Sequence, residues 1–332
     1  MRLAMAVAML VVSAGTASAA DCSALQIRNS VKMEPVAQYG LMMVPITLNG
    51  VEKKFLFDTG GGLNSIFRSA MQDLKLVEYR SNYHSSDLYG GDSESFIQVR
   101  EVEFGAAKTD TVQFQVMADQ GFAKGGAPFD GILKTGFFQR DDIDLDFGAG
   151  RVNFFSTDHC DGRVVYWPHQ VLSVIPVKME KGHIDIPVTL DGHPLTAMID
   201  TGATRTTLNL DRAVRKIGFS PDSPAPDNAP KDDPEHQSYF RRFSTLSLDG
   251  LIVQNPLVHI RPLTFGGNDN SAVLGSRAEH QDDEANRLAT DMIVGMDVLR
   301  HLHIYIAVKE EKLYVTESTP GESVLFKQTP AH

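Results

Sequence analysis

The sequence predicts an all-β chain of two similar lobes related by a pseudo-twofold axis, with only a few short helices. Two observations carry this reading: the same order of short alternating strands occurs twice along 332 residues, and each copy opens with a hairpin pattern that runs into Asp-Thr-Gly. The length, with 42% hydrophobic and 22% charged residues, suffices for two modest cores and describes a globular rather than a disordered chain.

Taken in chain order, the first element is a leader. Arg2 precedes an apolar stretch from Leu3 to Val12, and small residues follow, ending Ala17-Ser18-Ala19-Ala20. This pattern reads as a signal peptide over residues 1–20, too short to remain as a membrane-spanning anchor. Asp21 stands before Cys22 where lipid attachment would need a small residue. The expected location is therefore exported, periplasmic or secreted, with no membrane anchor in the mature chain. In an oxidising compartment the two cysteines, Cys22 and Cys160, are expected to form a disulfide. A net charge of −11 without a Lys/Arg cluster excludes a nucleic-acid-binding surface.

The first copy reads Val44-Pro45-Ile46-Thr47-Leu48-Asn49-Gly50 and then Phe55-Leu56-Phe57-Asp58-Thr59-Gly60. The second reads Ile186-Pro187-Val188-Thr189-Leu190-Asp191-Gly192 and then Ala197-Met198-Ile199-Asp200-Thr201-Gly202. Asn-Gly and Asp-Gly between alternating strands are hairpin turn signals. Later strands repeat too: Val112 to Val116 matches Pro256 to Ile260, Asp130 to Leu133 matches Asp291 to Val294, and Ile143 to Phe155 matches Ile304 to Thr316. The second copy is longer by 19 residues, nearly all between Pro262 and Thr290, which reads as a surface insertion. Ser220 to Pro234 carries five prolines and reads as a loop. Short helices are expected over Ser69–Leu76 and Asp211–Ile217 and after Gly136 and Gly295. The expected lobes are residues 21–160 and 161–332, each of six or seven strands.

One Asp-Thr-Gly alone describes a turn. Two in register within a repeat place a carboxylate at the end of an apolar strand in each lobe, and a pseudo-twofold axis between the hairpin ends would bring Asp58 and Asp200 together. Two adjacent carboxylates cannot both ionise comfortably, so they share a proton and hold a general acid beside a general base. Gly60 and Gly202 allow a tight backbone turn, and Thr59 and Thr201 offer hydroxyls that can bond across the axis.

These motifs, with Ala203-Thr204 and Ile293-Val294-Gly295, make the chain resemble the bilobal pepsin-like and retropepsin-like aspartic proteases, especially bacterial exported members. The resemblance implies a double β-barrel, a catalytic dyad of Asp58 and Asp200, support from Thr59, Gly60, Thr201, Gly202 and Thr204, and a polypeptide substrate in the cleft between lobes. It implies an aspartic endopeptidase acting as a monomer without metal or cofactor. A flap over the substrate is expected near Tyr89-Gly90-Gly91, with Tyr89 and Gly90 as substrate-binding residues. A hairpin turn with an exposed tyrosine is the plainer alternative.

Two residues depart from the family pattern. Gly62 stands where Thr204 would bond the outer oxygen of the carboxylate, and Lys134 stands where the repeat has Gly295. A lysine ammonium near the dyad would favour two ionised carboxylates and oppose the shared proton. The alternative function is therefore a catalytically impaired pseudo-protease that binds or scaffolds peptides. His301 and His303, spaced to share a strand face, and His159 beside Cys160 are too few to form a metal site by themselves.

Overall fold

The computed structural model of the chain describes residues 22–36, 39–61, 63–86, 92–119, 128–134, 140–180, 183–263, 290–318 and 326–328. The architecture is all-β and two-lobed. Each copy of the repeat builds a sheet of ten described strands, and a six-stranded sheet joins the two.

The hairpins form where the sequence places them. Leu41–Leu48 pairs antiparallel with Val51–Asp58, and His183–Leu190 with His193–Ile199. Asn49 and Gly50 have φ of 47° and 80°, and Asp191 and Gly192 have φ of 47° and 81°. Both central residues are thus left-handed, which matches the twist of the flanking strands and explains the Asn-Gly and Asp-Gly choice. Leu41 and Met42 are both buried where the strand begins; beyond them Val44, Ile46 and Leu48 turn into the core, while Met43, Pro45 and Thr47 remain half-buried. The period of two thus selects one buried face.

A late strand of each copy threads between the hairpin and the strand that follows the hairpin in sequence. Gly131–Lys134 runs parallel to Val51–Asp58, and Met292–Val294 runs parallel to His193–Ile199. In each lobe an aspartate at the head of this strand holds the hairpin. The N–H of Lys54 donates to Asp130 Oδ2 at 2.7 Å, and the N–H of Thr196 donates to Asp291 Oδ2 at 2.9 Å. The duplication therefore extends to individual hydrogen bonds.

The closing strands of each copy leave their lobe. Asp141–Asp146 pairs antiparallel with Leu302–Ala307, so that Ile143 faces Ile306, Asp144 faces Tyr305 and Leu145 faces Ile304. Each lobe sheet exceeds the expected six or seven strands because short flanking strands extend its edges, as Ala107–Thr109 does beside Val102–Phe104. Helical structure is slight. Gln72–Leu74 forms one 3-10 turn inside the expected Ser69–Leu76, Leu210–Arg212 continues into a wider turn at Ala213–Ile217, and Met296–Leu299 follows Gly295. The helix expected after Gly136 and most of the insertion after Pro262 lie outside the described residues. Ser220 to Pro234 is a loop, in which Asp233 makes an isolated bridge to Ser238.

Cys22 and Cys160 are joined, with Cα atoms 4.8 Å apart and a sequence separation of 138. Beside this link the shared sheet buries polar groups. Asp142 accepts from the Val308 N–H at 2.8 Å and the Tyr305 hydroxyl at 3.1 Å, and lies 2.6 Å from His159 Nε2. Asp144 accepts from Asn153 Nδ2 at 2.7 Å and the Tyr166 hydroxyl at 2.6 Å, and lies 2.7 Å from His303 Nε2. His303 stacks on Trp167 with ring centroids 3.7 Å apart. Its ring nitrogens face aspartates of the first lobe, whereas His301 lies in the preceding turn and receives the Arg300 Nε–H. Every ion-seeking atom in this group is matched by a donor or acceptor, as burial requires.

Candidate active site

Both hairpins end at the axis between the lobes. Val51–Asp58 delivers Asp58 at its last position, and Asp200 follows directly on His193–Ile199. The two loops then cross-brace. Thr59 N–H donates to Thr201 Oγ1 at 3.1 Å, and Thr201 N–H donates to Thr59 Oγ1 at 3.0 Å. The same hydroxyls reach through to the opposite strand, Thr59 to the Ile199 carbonyl at 2.7 Å and Thr201 to the Phe57 carbonyl at 2.6 Å. Both threonines are fully buried, so each bond is made without competing water.

The glycines set the approach of the carboxylates. A Cβ on Gly60 would lie 2.5 Å from Asp200 Cγ, and one on Gly202 would lie 2.5 Å from Asp58 Cγ. Each carboxylate thus rests on the glycine of the other lobe, a seat that no side chain could share. Asp58 and Asp200 are hydrogen-bonded to each other. The Gly60 N–H donates to Asp58 Oδ1 at 2.8 Å with a second bond from Gly61, and the Gly202 N–H donates to Asp200 Oδ1 at 2.8 Å with a second from Ala203.

The electrostatics of the pair follow from this packing. Burial pushes the Asp58 carboxyl well above the usual carboxylate range, and the neighbouring Asp200 charge adds to the rise. Burial also raises Asp200, opposed by the hydrogen bond from Asp58, by the Gly202 and Ala203 N–H groups and by the charge of His183. One carboxyl therefore holds its proton while its partner is the more readily ionised.

The expected supports separate into two groups. Thr59, Gly60, Thr201 and Gly202 converge on the pair. Thr204 is exposed, and the groups that bond Asp200 are Asp58, Gly202 and Ala203. The backbone of Gly60 and Gly61 serves Asp58 in the same way; Gly62 itself lies outside the described residues. Tyr89 and Gly90 also lie outside them, but the strands that bracket them, Tyr79–Ser86 and Asp92–Val99, form an antiparallel hairpin whose last register pair is Ser86 with Asp92.

Lys134 stands at the register position beside Asp58, as the repeat requires. In the second lobe a Cβ on Gly295 would meet the Arg205 carbonyl carbon at 2.5 Å, so that loop excludes any side chain. The first-lobe loop leaves space. Lys134 borders a cavity of about 630 Å³ lined by Leu63, Asn64, Gln113, Gln115 and Asp141. Its N–H donates to Asn64 Oδ1 at 3.0 Å, the counterpart of the Gly295 N–H donating to Thr206 Oγ1 at 3.2 Å.

Residues 44–137 and 186–298 match the family model described as aspartyl protease. The chain belongs to the aspartyl protease family. The two matched stretches coincide with the two copies of the repeat, each containing one Asp-Thr-Gly. No curated protein matches the chain. A residue that the sequence pattern missed is His183, whose charge favours ionised Asp200; its place depends on strand register rather than on a motif, and extending the pairing of the two hairpin patterns by two residues would have pointed to it.

Proposed function

We propose that the protein is an exported aspartic endopeptidase of the bilobal pepsin-like and retropepsin-like kind, which hydrolyses peptide bonds with a water held between Asp58 and Asp200. The observation that carries this reading is the mutual hydrogen bond of two carboxylates, each seated on the other lobe's glycine. The ionised carboxylate takes a proton from water as the water oxygen bonds to the peptide carbonyl carbon, and the protonated carboxyl donates to the carbonyl oxygen. The resulting tetrahedral diol collapses when one carboxyl gives its proton to the amide nitrogen, the other, now ionised, takes a proton from a diol hydroxyl, and the C–N bond breaks. Water is the only co-reactant, and no covalent enzyme intermediate forms.

The backbone bonds to Asp58 from Gly60 and Gly61 favour activity, because they match those that Asp200 receives in the lobe without the Gly62 change. The bracketing hairpin fits a flap carrying Tyr89 and Gly90 over a polypeptide substrate. With one carboxylate in each of the lobes 21–160 and 161–332, a monomer suffices. Removal of residues 1–20 on export to the periplasm or beyond fits the Cys22–Cys160 link.

The test incubates residues 21–332 with an unfolded polypeptide from acid to neutral pH, beside Asp58→Asn and Asp200→Asn variants and a statine-type inhibitor. Cleavage abolished by either substitution and by the inhibitor is expected. Cleavage indifferent to both substitutions would sink the proposal.

A further inference from the structure

The two lobes differ at one position that bears on the pair of aspartates. In the second-lobe hairpin the last register pair is Asp185 with Met198, next to Ile186 with Ala197, and continuing this antiparallel count by two residues assigns His183 the position opposite Asp200. In the first-lobe hairpin the last register pair is Met43 with Leu56, next to Val44 with Phe55, and the same count assigns Leu41 the position opposite Asp58. Leu41 is buried at 1% exposure, whereas His183 is half-buried. Cross-strand neighbours are close enough to interact directly. One carboxylate thus has an apolar neighbour and the other a titratable one.

We propose that His183 is a positioning residue that holds the negative charge of the pair on Asp200 and leaves the proton on Asp58. This rests on the protease reading and deepens it by dividing the roles. Asp200 takes the proton from water, and Asp58 gives its proton to the carbonyl oxygen; the water O–H bond breaks as the new C–O bond forms. A protonated imidazole stabilises a nearby carboxylate and disfavours its protonation. The charge of His183 favours the ionised form of Asp200, after the larger influences of burial, Asp58 and the Gly202 and Ala203 N–H groups, while Asp58 is influenced by burial, Asp200, Gly60 and Gly61.

Other charged residues are placed around His183 by the same sheet. Glu180 is its register partner on Lys178–Glu180, Lys178 is the partner of Asp185, and Asp185 lies two residues along its own strand. His193 closes the far end of the hairpin opposite Leu190. Ser173–Pro176 and Thr245–Leu248, which also pack on this strand, carry no titratable side chain.

The experiment compares the parent with His183→Leu, which installs the first-lobe residue, and His183→Lys, which keeps a positive charge. The kcat/KM profile is measured against pH, and the carboxylates of ¹³C-labelled aspartates are titrated by NMR in the Asp58→Asn background, where Asp200 ionises without its partner. His183→Leu is expected to move the acid limb of the profile and the Asp200 titration to higher pH by about one unit; His183→Lys is expected to leave both near the parent. An unmoved Asp200 titration in His183→Leu, or an equal displacement in His183→Lys, overturns the proposal. Because the titration needs no turnover, a parent protein that cleaves nothing counts against the protease reading alone and leaves the His183 assignment to be decided by NMR.

Discussion

The N–H of Thr59 donates to the hydroxyl of Thr201, and the N–H of Thr201 donates back to the hydroxyl of Thr59, at 3.1 and 3.0 Å. This reciprocal pair ties the lobes together at the point where the carboxylates meet. Replacing Thr201 by Val keeps the shape and removes the hydroxyl, leaving the buried Thr59 N–H without its acceptor and the Phe57 carbonyl without its donor. The expected loss is about 2–4 kcal/mol in urea unfolding, with Thr59→Val equal to it. Strong non-additivity in the double variant is also expected, since the two hydroxyls act as one network. Independent, additive losses would show that the two sides are not coupled.

Gly202→Ala places a methyl carbon 2.5 Å from Asp58 Cγ, a distance that only displacement of the carboxylate can relieve. Cleavage is expected to fall at least about a hundredfold with the β-rich circular dichroism spectrum retained. Gly192→Ala provides the contrast. That residue has a left-handed φ of 81° with open space around it, so the change strains a turn by about 1 kcal/mol and leaves kcat/KM unaltered.

Asp144→Ala tests the seam between lobes. It removes the acceptor of Asn153 in the first copy, the acceptor of Tyr166 in the segment between the copies, and the partner of His303 in the second. Orphaning several buried groups is expected to destabilise by about 3–5 kcal/mol in denaturant unfolding. A cost below about 1 kcal/mol would mean that water replaces the lost oxygens.

His159 confers a pH dependence on stability. Its burial opposes protonation, but Asp142, the Cys160 carbonyl and Glu310 outweigh this and lift its pKa above the ordinary 6.5. A raised folded-state value stabilises the fold fully below about 6.5, and this contribution disappears as pH rises through the folded value. Asp142 is raised as well, by burial and against the bonds from His159 and Val308, which acts in the same direction. The melting temperature is therefore expected to decline from pH 6.5 upward in the parent and to decline less in His159→Gln. Parallel curves for the two proteins would remove His159 from the explanation.

The hairpins and the paired aspartates were legible in the sequence because their signals are local. Alternation, an Asn-Gly or Asp-Gly turn and the following Asp-Thr-Gly all lie within about twenty residues. The shared sheet was not, since pairing of Ile143 with Ile306 is a register between distant strands and no local pattern encodes it. Ile143-Asp144-Leu145-Asp146 reads as a strand with one wet face, yet Asp144 is fully buried because Tyr166, Trp167 and His303 cover that side. Lys134 was visible as a departure, but the space that accommodates it was not, since it arises from the path of the loop around Leu63 and Asn64. His183 was hidden for the same reason as the sheet.

The central sheet is close to a palindrome. Ile143 corresponds to Ile304 in the repeat and Leu145 to Ile306, yet each pairs with the counterpart of the other, about a centre at Asp144 and Tyr305. An alteration in either strand is therefore met by the opposite copy, and the two halves of the chain are not free to diverge there. At this seam every accepted change in one half sets the terms for the other. Divergence here is met across the pairing rather than alone: Asp144 stands where the second copy has Tyr305, and the two face each other.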